Sequence, residues 1–192
     1  MSQLERANDL EASIKAMIRA ELLALQTCCP VDVVTFDPIK MTATCQPNIR
    51  VRVPLPDGTY MMVQPRLLVN VPVLFQSGGG FTTTYPIAPG DEGICVFSSR
   101  AIDLWWRAGG LQDPIEFRIF SWDDGFLFVG PRSQVNLLTA VSTTQVQMRS
   151  DDGTTYIGIG PVGVVDIVLP SSGLLTITGN VLITGTLNGH TP

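Results

Sequence analysis

A single histidine, His190, stands third from the end of the 192-residue sequence. One imidazole excludes any catalytic triad or metal cluster that draws several histidines from one chain. Three parallel copies would instead bring three imidazoles to a common axis, and imidazole is a frequent ligand of iron, zinc and nickel. His190 is therefore the candidate metal ligand, one from each of three chains, with water or Asn188 completing the shell. Paired carboxylates occur at Asp123-Asp124 and Asp151-Asp152. Acid–base chemistry needs two carboxyls facing each other across a substrate. These are sequence neighbours, each pair followed by Gly, and turn formation accounts for them.

The remaining chemistry-bearing types are equally spare. Cys28, Cys29, Cys45 and Cys95 match no zinc-site spacing and are too few for a disulfide scaffold. They read as reduced, small apolar residues, with Cys45 and Cys95 on strands. Gly78-Gly79-Gly80 lacks the Lys-Ser/Thr sequel and following helix of a phosphate-binding loop, so it reads as a turn. Trp105, Trp106, Phe117, Phe120, Trp122, Phe126 and Phe128 form an aromatic block that suits core or subunit-interface packing.

The elements behind these residues fall into three zones, expected at 1–29, 30–132 and 133–192. In the first, a helix is expected over Leu4 to Gln26: Ala7, Leu10, Ile14, Ile18, Leu22 and Leu25 step by three or four. Its apolar face would cover either its own domain or another copy or larger assembly. In the second, short apolar runs are expected as strands: Val31–Phe36, Met41–Gln46, Ile49–Val53, Tyr60–Val63, Leu67–Val73, Gly93–Ser98 and Ile115–Ser121. Between them lie turn signals, among them Pro56-Asp57-Gly58, Pro89-Gly90-Asp91 and Asp123-Asp124-Gly125. Many short strands in about a hundred residues point to a small barrel or sandwich.

The third zone is nearly uncharged, with only Arg149, Asp151, Asp152 and Asp166 from Ser133 onward. It ends in a six-residue repeat: Leu175-Thr-Ile177-Thr-Gly179-Asn, then Val181-Leu-Ile183-Thr-Gly185-Thr, then Leu187-Asn-Gly189-His. On a strand the odd positions form an apolar stripe and the Thr positions a polar one. Two or three such units cannot bury the stripe within one chain, whereas intertwined copies can. The whole chain is mainly β and carries a formal charge of −5, with ten Arg and two Lys against 17 acids. That balance argues against a nucleic-acid partner. No secretory signal or transmembrane run is visible.

The order of these stretches resembles the central, membrane-puncturing spike proteins of contractile phage tails. The resemblance rests on Asn70-Val-Pro-Val73, Gly78-Gly-Gly-Phe81, Tyr85-Pro-Ile87, Pro89-Gly-Asp-Glu-Gly93, Val96-Phe-Ser-Ser-Arg100, Ile102-Asp-Leu-Trp-Trp106, Arg118-Ile-Phe-Ser-Trp-Asp-Asp124 and the terminal repeat. It implies an N-terminal α-helix, an OB-type β-barrel used as a collar, and a C-terminal intertwined triple-stranded β-helix in a homotrimer. It further implies docking on tail hub and baseplate proteins, piercing of the host outer membrane on sheath contraction with no bond broken and so no enzymatic activity, assembly in the host cytoplasm, and a place at the baseplate tip of the virion. Family tips often carry His-x-His around iron. The matching positions are Asn188-Gly189-His190, and the chain stops two residues later, which leaves room for a separate tip protein. The alternative expectation is a trimeric glycan-binding or depolymerising receptor protein.

Overall fold

A computed structural model describes residues 3–182 and 184–185. The expected helix is present as α1, Gln3–Ala24. It ends where the backbone N–H of Gln26 bonds the carbonyl of Phe120 at 2.9 Å and the chain turns into strand β1, Cys28–Asp37. Leu10, Ile14, Ile18 and Leu22, its apolar row, are all exposed, so the first of the two expected coverings is not used.

Five strands make one antiparallel sheet: β1 with β2 (Thr42–Pro47), β5 (Leu68–Pro72), β8 (Glu92–Phe97) and β9 (Gly125–Val129), in the order β5-β2-β1-β8-β9. Period-two alternation puts Cys29, Val31 and Val33 of β1, Cys45 of β2, Cys95 and Phe97 of β8 and Leu127 of β9 into one core. The sheet curls into a half-barrel. A bulge between Val33 and Thr35 bends β1, and the two outermost strands approach, with Val73 bridging Leu127 in parallel. Gly93 permits this curl, since a Cβ there would lie 2.8 Å from both Leu127 Cδ1 and the Phe128 carbonyl oxygen.

Two small hairpins stand apart from this sheet: β3 (Val51–Pro54) with β4 (Tyr60–Val63), and β6 (Ser77–Gly78) with β7 (Phe81–Thr82). The first is closed at Pro56-Asp57-Gly58 as its turn signal requires. In the second, Gly79 and Gly80 take the positive φ values of 59° and 84° that a tight hairpin turn needs, so the triple glycine is a turn. A short helix, α2 (Asp103–Ala108), precedes β9.

One strand expectation needs correction, and one strand was not expected. Ile115–Ser121 is not a strand: Phe120 has a φ of 46°, and Arg118 is drawn away by three carboxylates. Gly125–Val129, which carries Phe126 and Phe128 of the aromatic block and which no strand expectation covers, is a strand of the main sheet.

The chain divides into two compact units, Met1–Val135 and Asn136–Pro192. At the end of the first, the Gly130 N–H donates to the Glu92 carbonyl at 3.1 Å, and the Ser133 N–H and hydroxyl donate to the Glu92 carboxylate at 2.5 and 2.6 Å. The second contains an antiparallel meander, β10 (Val146–Arg149), β11 (Tyr156–Ile159) and β12 (Val165–Val168), with a short 3-10 turn at Pro161–Gly163. From Leu174 to Leu182 the chain forms no strand, although the six-residue repeat has strand periodicity. Its aliphatic residues Leu174, Leu175, Ile177, Val181 and Leu182 are exposed.

Candidate interface surfaces

The meander of the second unit presents its side chains in an unusual way. Register places Val146 opposite Ile159, Met148 opposite Ile157, Ile157 opposite Ile167 and Ile159 opposite Val165, so six aliphatic side chains share one face. All six are exposed, from 52% at Ile157 to 76% at Val146. The opposite face carries Gln147, Arg149, Tyr156 and Asp166 and is partly covered by the unit's own chain. There Gln145 Nε2 donates to Asp166 at 2.7 Å, and Arg149 donates to the carbonyls of Ala140 and Thr139 at 2.6 and 2.8 Å. A sheet that faces its polar side inward and its apolar side to water has its stabilising surface still to bury.

The first unit has a second such surface around α2. Its root is Asp124, fully buried, whose carboxylate accepts from the Ile102 N–H at 3.0 Å and from Arg118 Nε and Nη at 3.1 Å each. Arg118 also donates to Asp103 at 2.5 Å and to Glu116. Hydrogen bonds to Asp124 and Asp103 outweigh partial burial and hold the guanidinium in its charged form more firmly than usual. Turn formation, which accounts for Asp123-Asp124 in the sequence, covers only half of the pair. Asp123 does sit at the turn, paired with Arg66 at 2.6 Å, but Asp124 is the buried anchor of the α2 region. The nearby Arg118, six residues earlier and flanked by apolar residues, was the available signal. Asp151-Asp152 behaves as expected: Asp152 accepts from the Ser150 hydroxyl at 2.5 Å and the Thr154 N–H at 3.0 Å, bonds that lower its pKa.

The aromatic block splits between core and surface. Trp122 packs edge-on against Phe97 at 5.3 Å, on the edge of the core. Trp105 stacks edge-on against Phe126 at 5.7 Å, yet Trp105 and Trp106 remain 45% and 41% exposed. Phe117 is 97% exposed. Cys29, Cys45 and Cys95 lie buried in the core and Cys28 is exposed, all four as free thiols. Burial pushes the Cys29 thiol up to about 11, with the neighbouring Cys28 and Cys45 adding to the rise. His190 and Asn188 lie outside the described residues.

A family model described as the phage protein Gp138 N-terminal domain matches residues 29–130, more than half of the chain. The chain belongs to that family. The Gp138 N-terminal domain match begins on β1 and ends just past β9, so it spans the half-barrel sheet and the α2 region. It makes this a phage protein of a structural family. No curated protein matches the chain. Among the described residues, no helix is long and apolar enough to cross a membrane.

Proposed function

We propose that this protein is a homotrimeric central spike of a contractile phage tail, without enzymatic activity. Its half-barrel is the collar that docks below the hub at the baseplate tip, and residues 133–192 of three chains wind into a triple-stranded β-helical shaft. Sheath contraction drives that shaft through the host outer membrane. The observation that carries this reading is the bare aliphatic face of the β10–β11–β12 meander, continued by the exposed aliphatic residues of the terminal repeat. At about 25 cal/mol per Å² of apolar surface removed from water, mutual burial of that face by three chains is the main available source of stability for the second unit. The charge-poor outer surface suits the role, because each ionised side chain carried into a lipid phase costs about 3 kcal/mol on insertion scales. His190 and its metal belong to the same reading as a tip feature, as does a separate capping protein.

The test is the native mass by light scattering, and again in SDS without heating. A particle near three times the 20.8 kDa chain mass that survives cold SDS supports the intertwined shaft, and a folded monomer overturns it. Piercing is tested in phage carrying Thr176→Lys with Thr178→Lys. The trimer mass should hold while infectivity falls severalfold, and an unchanged titre overturns the membrane step. Clearing of capsular polysaccharide by the purified protein would favour the receptor-type alternative instead.

A further inference from the structure

Phe120 stands in the left-handed region at a φ of 46°, a conformation that a bulky side chain keeps only when its surroundings impose it. They do so from both sides. Two residues before it, Arg118 donates to the Asp124 carboxylate through Nε and Nη at 3.1 Å each, and to Asp103 at 2.5 Å. Four residues after it, the buried Asp124 takes the Ile102 N–H on its carboxylate at 3.0 Å and the Ser98 N–H on its carbonyl at 2.8 Å. Just before Asp124, Trp122 packs edge-on against Phe97 and Asp123 pairs with Arg66. Residues 118–124 are thus a loop closed by its own two end residues and fastened to the sheet at Asp124, with Phe120 at the bend.

The bend aims one peptide group at the root of α1. The Phe120 carbonyl accepts from the Gln26 N–H at 2.9 Å, two residues past the end of the helix. The next peptide group along, the Thr27 carbonyl, accepts from the Phe97 N–H at 2.9 Å and extends the β1–β8 ladder one step beyond Cys28 and Val96. The Thr27 bond therefore belongs to the sheet. The Gln26 bond leaves the sheet and fixes the direction in which α1 departs, since Leu10, Ile14, Ile18 and Leu22 are exposed and hold the helix to no surface.

We infer that the 118–124 loop is a latch on α1, closed while Arg118 holds Asp124 and opened when that ion pair parts. In the closed state Phe120 keeps its left-handed bend and its carbonyl holds the helix root. In the open state Phe120 relaxes to an ordinary φ, the carbonyl turns away, and α1 swings on Leu25–Thr27 while the sheet stays folded. Strain at Phe120 drives opening. Closure is driven by Asp124, a buried carboxylate whose one ion-pair partner among the described residues is Arg118. A helix with an uncovered apolar row is thereby presented in one direction and can be redirected without unfolding the half-barrel. The latch stands on the bonds of a single chain and does not depend on the trimer proposed above.

Native-state hydrogen exchange of the full chain in a series of low urea concentrations, resolved to single amides by electron-transfer fragmentation, tests it. The Ile102 amide reports on the Asp124 carboxylate and the Gln26 amide on the Phe120 carbonyl. The Val33 and Leu74 amides, bonded to the carbonyls of Asp91 and Leu127, report on the sheet. Ile102 and Gln26 should lose protection together, with exchange about tenfold or more faster than at Val33 and Leu74. Gln26 opening only with the sheet, or apart from Ile102, overturns the latch. In Arg118→Met, Gln26 exchange should rise about tenfold or more while Val33 keeps its protection. Unchanged Gln26 exchange in the folded variant overturns the inference, and if the variant does not fold, the urea series on the unaltered chain decides.

Discussion

The half-barrel and the meander use the same alternation of side chains and turn it in opposite directions. In the half-barrel, β1 sends Cys29, Val31 and Val33 inward, and β9 sends Leu127 to meet them, with none of these more than 8% exposed. In the meander, Val146, Met148, Ile157, Ile159, Val165 and Ile167 point to solvent, and the polar side is the one that finds hydrogen bonds within its own chain. The half-barrel is internally satisfied; the meander is satisfied only on its polar side. The alternation of a strand therefore says which residues belong on one side, not whose surface will cover them.

The sharpest way to break this contrast is at the anchor of the first unit. Asp124→Ala would leave Arg118 partly buried without its main partner. The loss should be about 3–5 kcal/mol in urea denaturation, and it should be independent of protein concentration if the first unit stands on its own contacts. Loss under about 1 kcal/mol would mean that Asp103 and Glu116 suffice.

Leu127→Ala and Ile157→Ala make the matched pair. Leu127 is fully buried, so its truncation should cost about 2–5 kcal/mol. Ile157 is 52% exposed in one chain, and there its truncation should stay within about 0.5 kcal/mol. Under the trimeric reading, Ile157→Ala instead costs as much as a core change, and the cost depends on protein concentration, because association is part of folding. A near-neutral Ile157→Ala at every concentration would erase the contrast.

The smallest effect is in pH. The Cys29 thiol is raised from 9.0 to about 11 by burial, so the native state keeps a proton that the unfolded chain releases. Its contribution is complete below pH 9 and declines as pH rises toward 11, by about 1.4 kcal/mol per unit at most for one group. Urea midpoints measured from pH 8 to 10.5 should fall, and Cys29→Ala should flatten part of that slope. An equal slope in the variant would move the effect to other groups.

Much of the half-barrel was legible in the sequence because each strand is bounded by turn residues whose geometry leaves little choice. The expected strands Met41–Gln46 and Gly93–Ser98 lie within one residue of β2 and β8. The α2 region was not legible. Ile115–Ser121 has the composition of a strand, but a long-range ion pair from Arg118 to Asp124 decides its path, and local periodicity carries no trace of that pairing. For the same reason the sequence shows Asp124 only as a turn residue: Asp followed by Gly looks alike whether its carboxylate meets water or a buried guanidinium. The meander's stripe is legible in the alternation itself, with Ile157 and Ile159 flanking Gly158 and with Val165 and Ile167 flanking Asp166. For the terminal repeat, strand periodicity has no expression at Leu174–Leu182, because an extended segment needs a neighbour to pair with and none is found among the described residues.

Glu92 has a mechanical consequence. The chain leaves β9 and is at once tied back by Ser133 to the first residue of β8, through two short bonds to one carboxylate and a third bond at Gly130. Tension applied beyond Ser133 therefore cannot peel β9 away from its free end one hydrogen bond at a time. It must first break the three bonds to Glu92, which stand between the pull and the β8–β9 ladder.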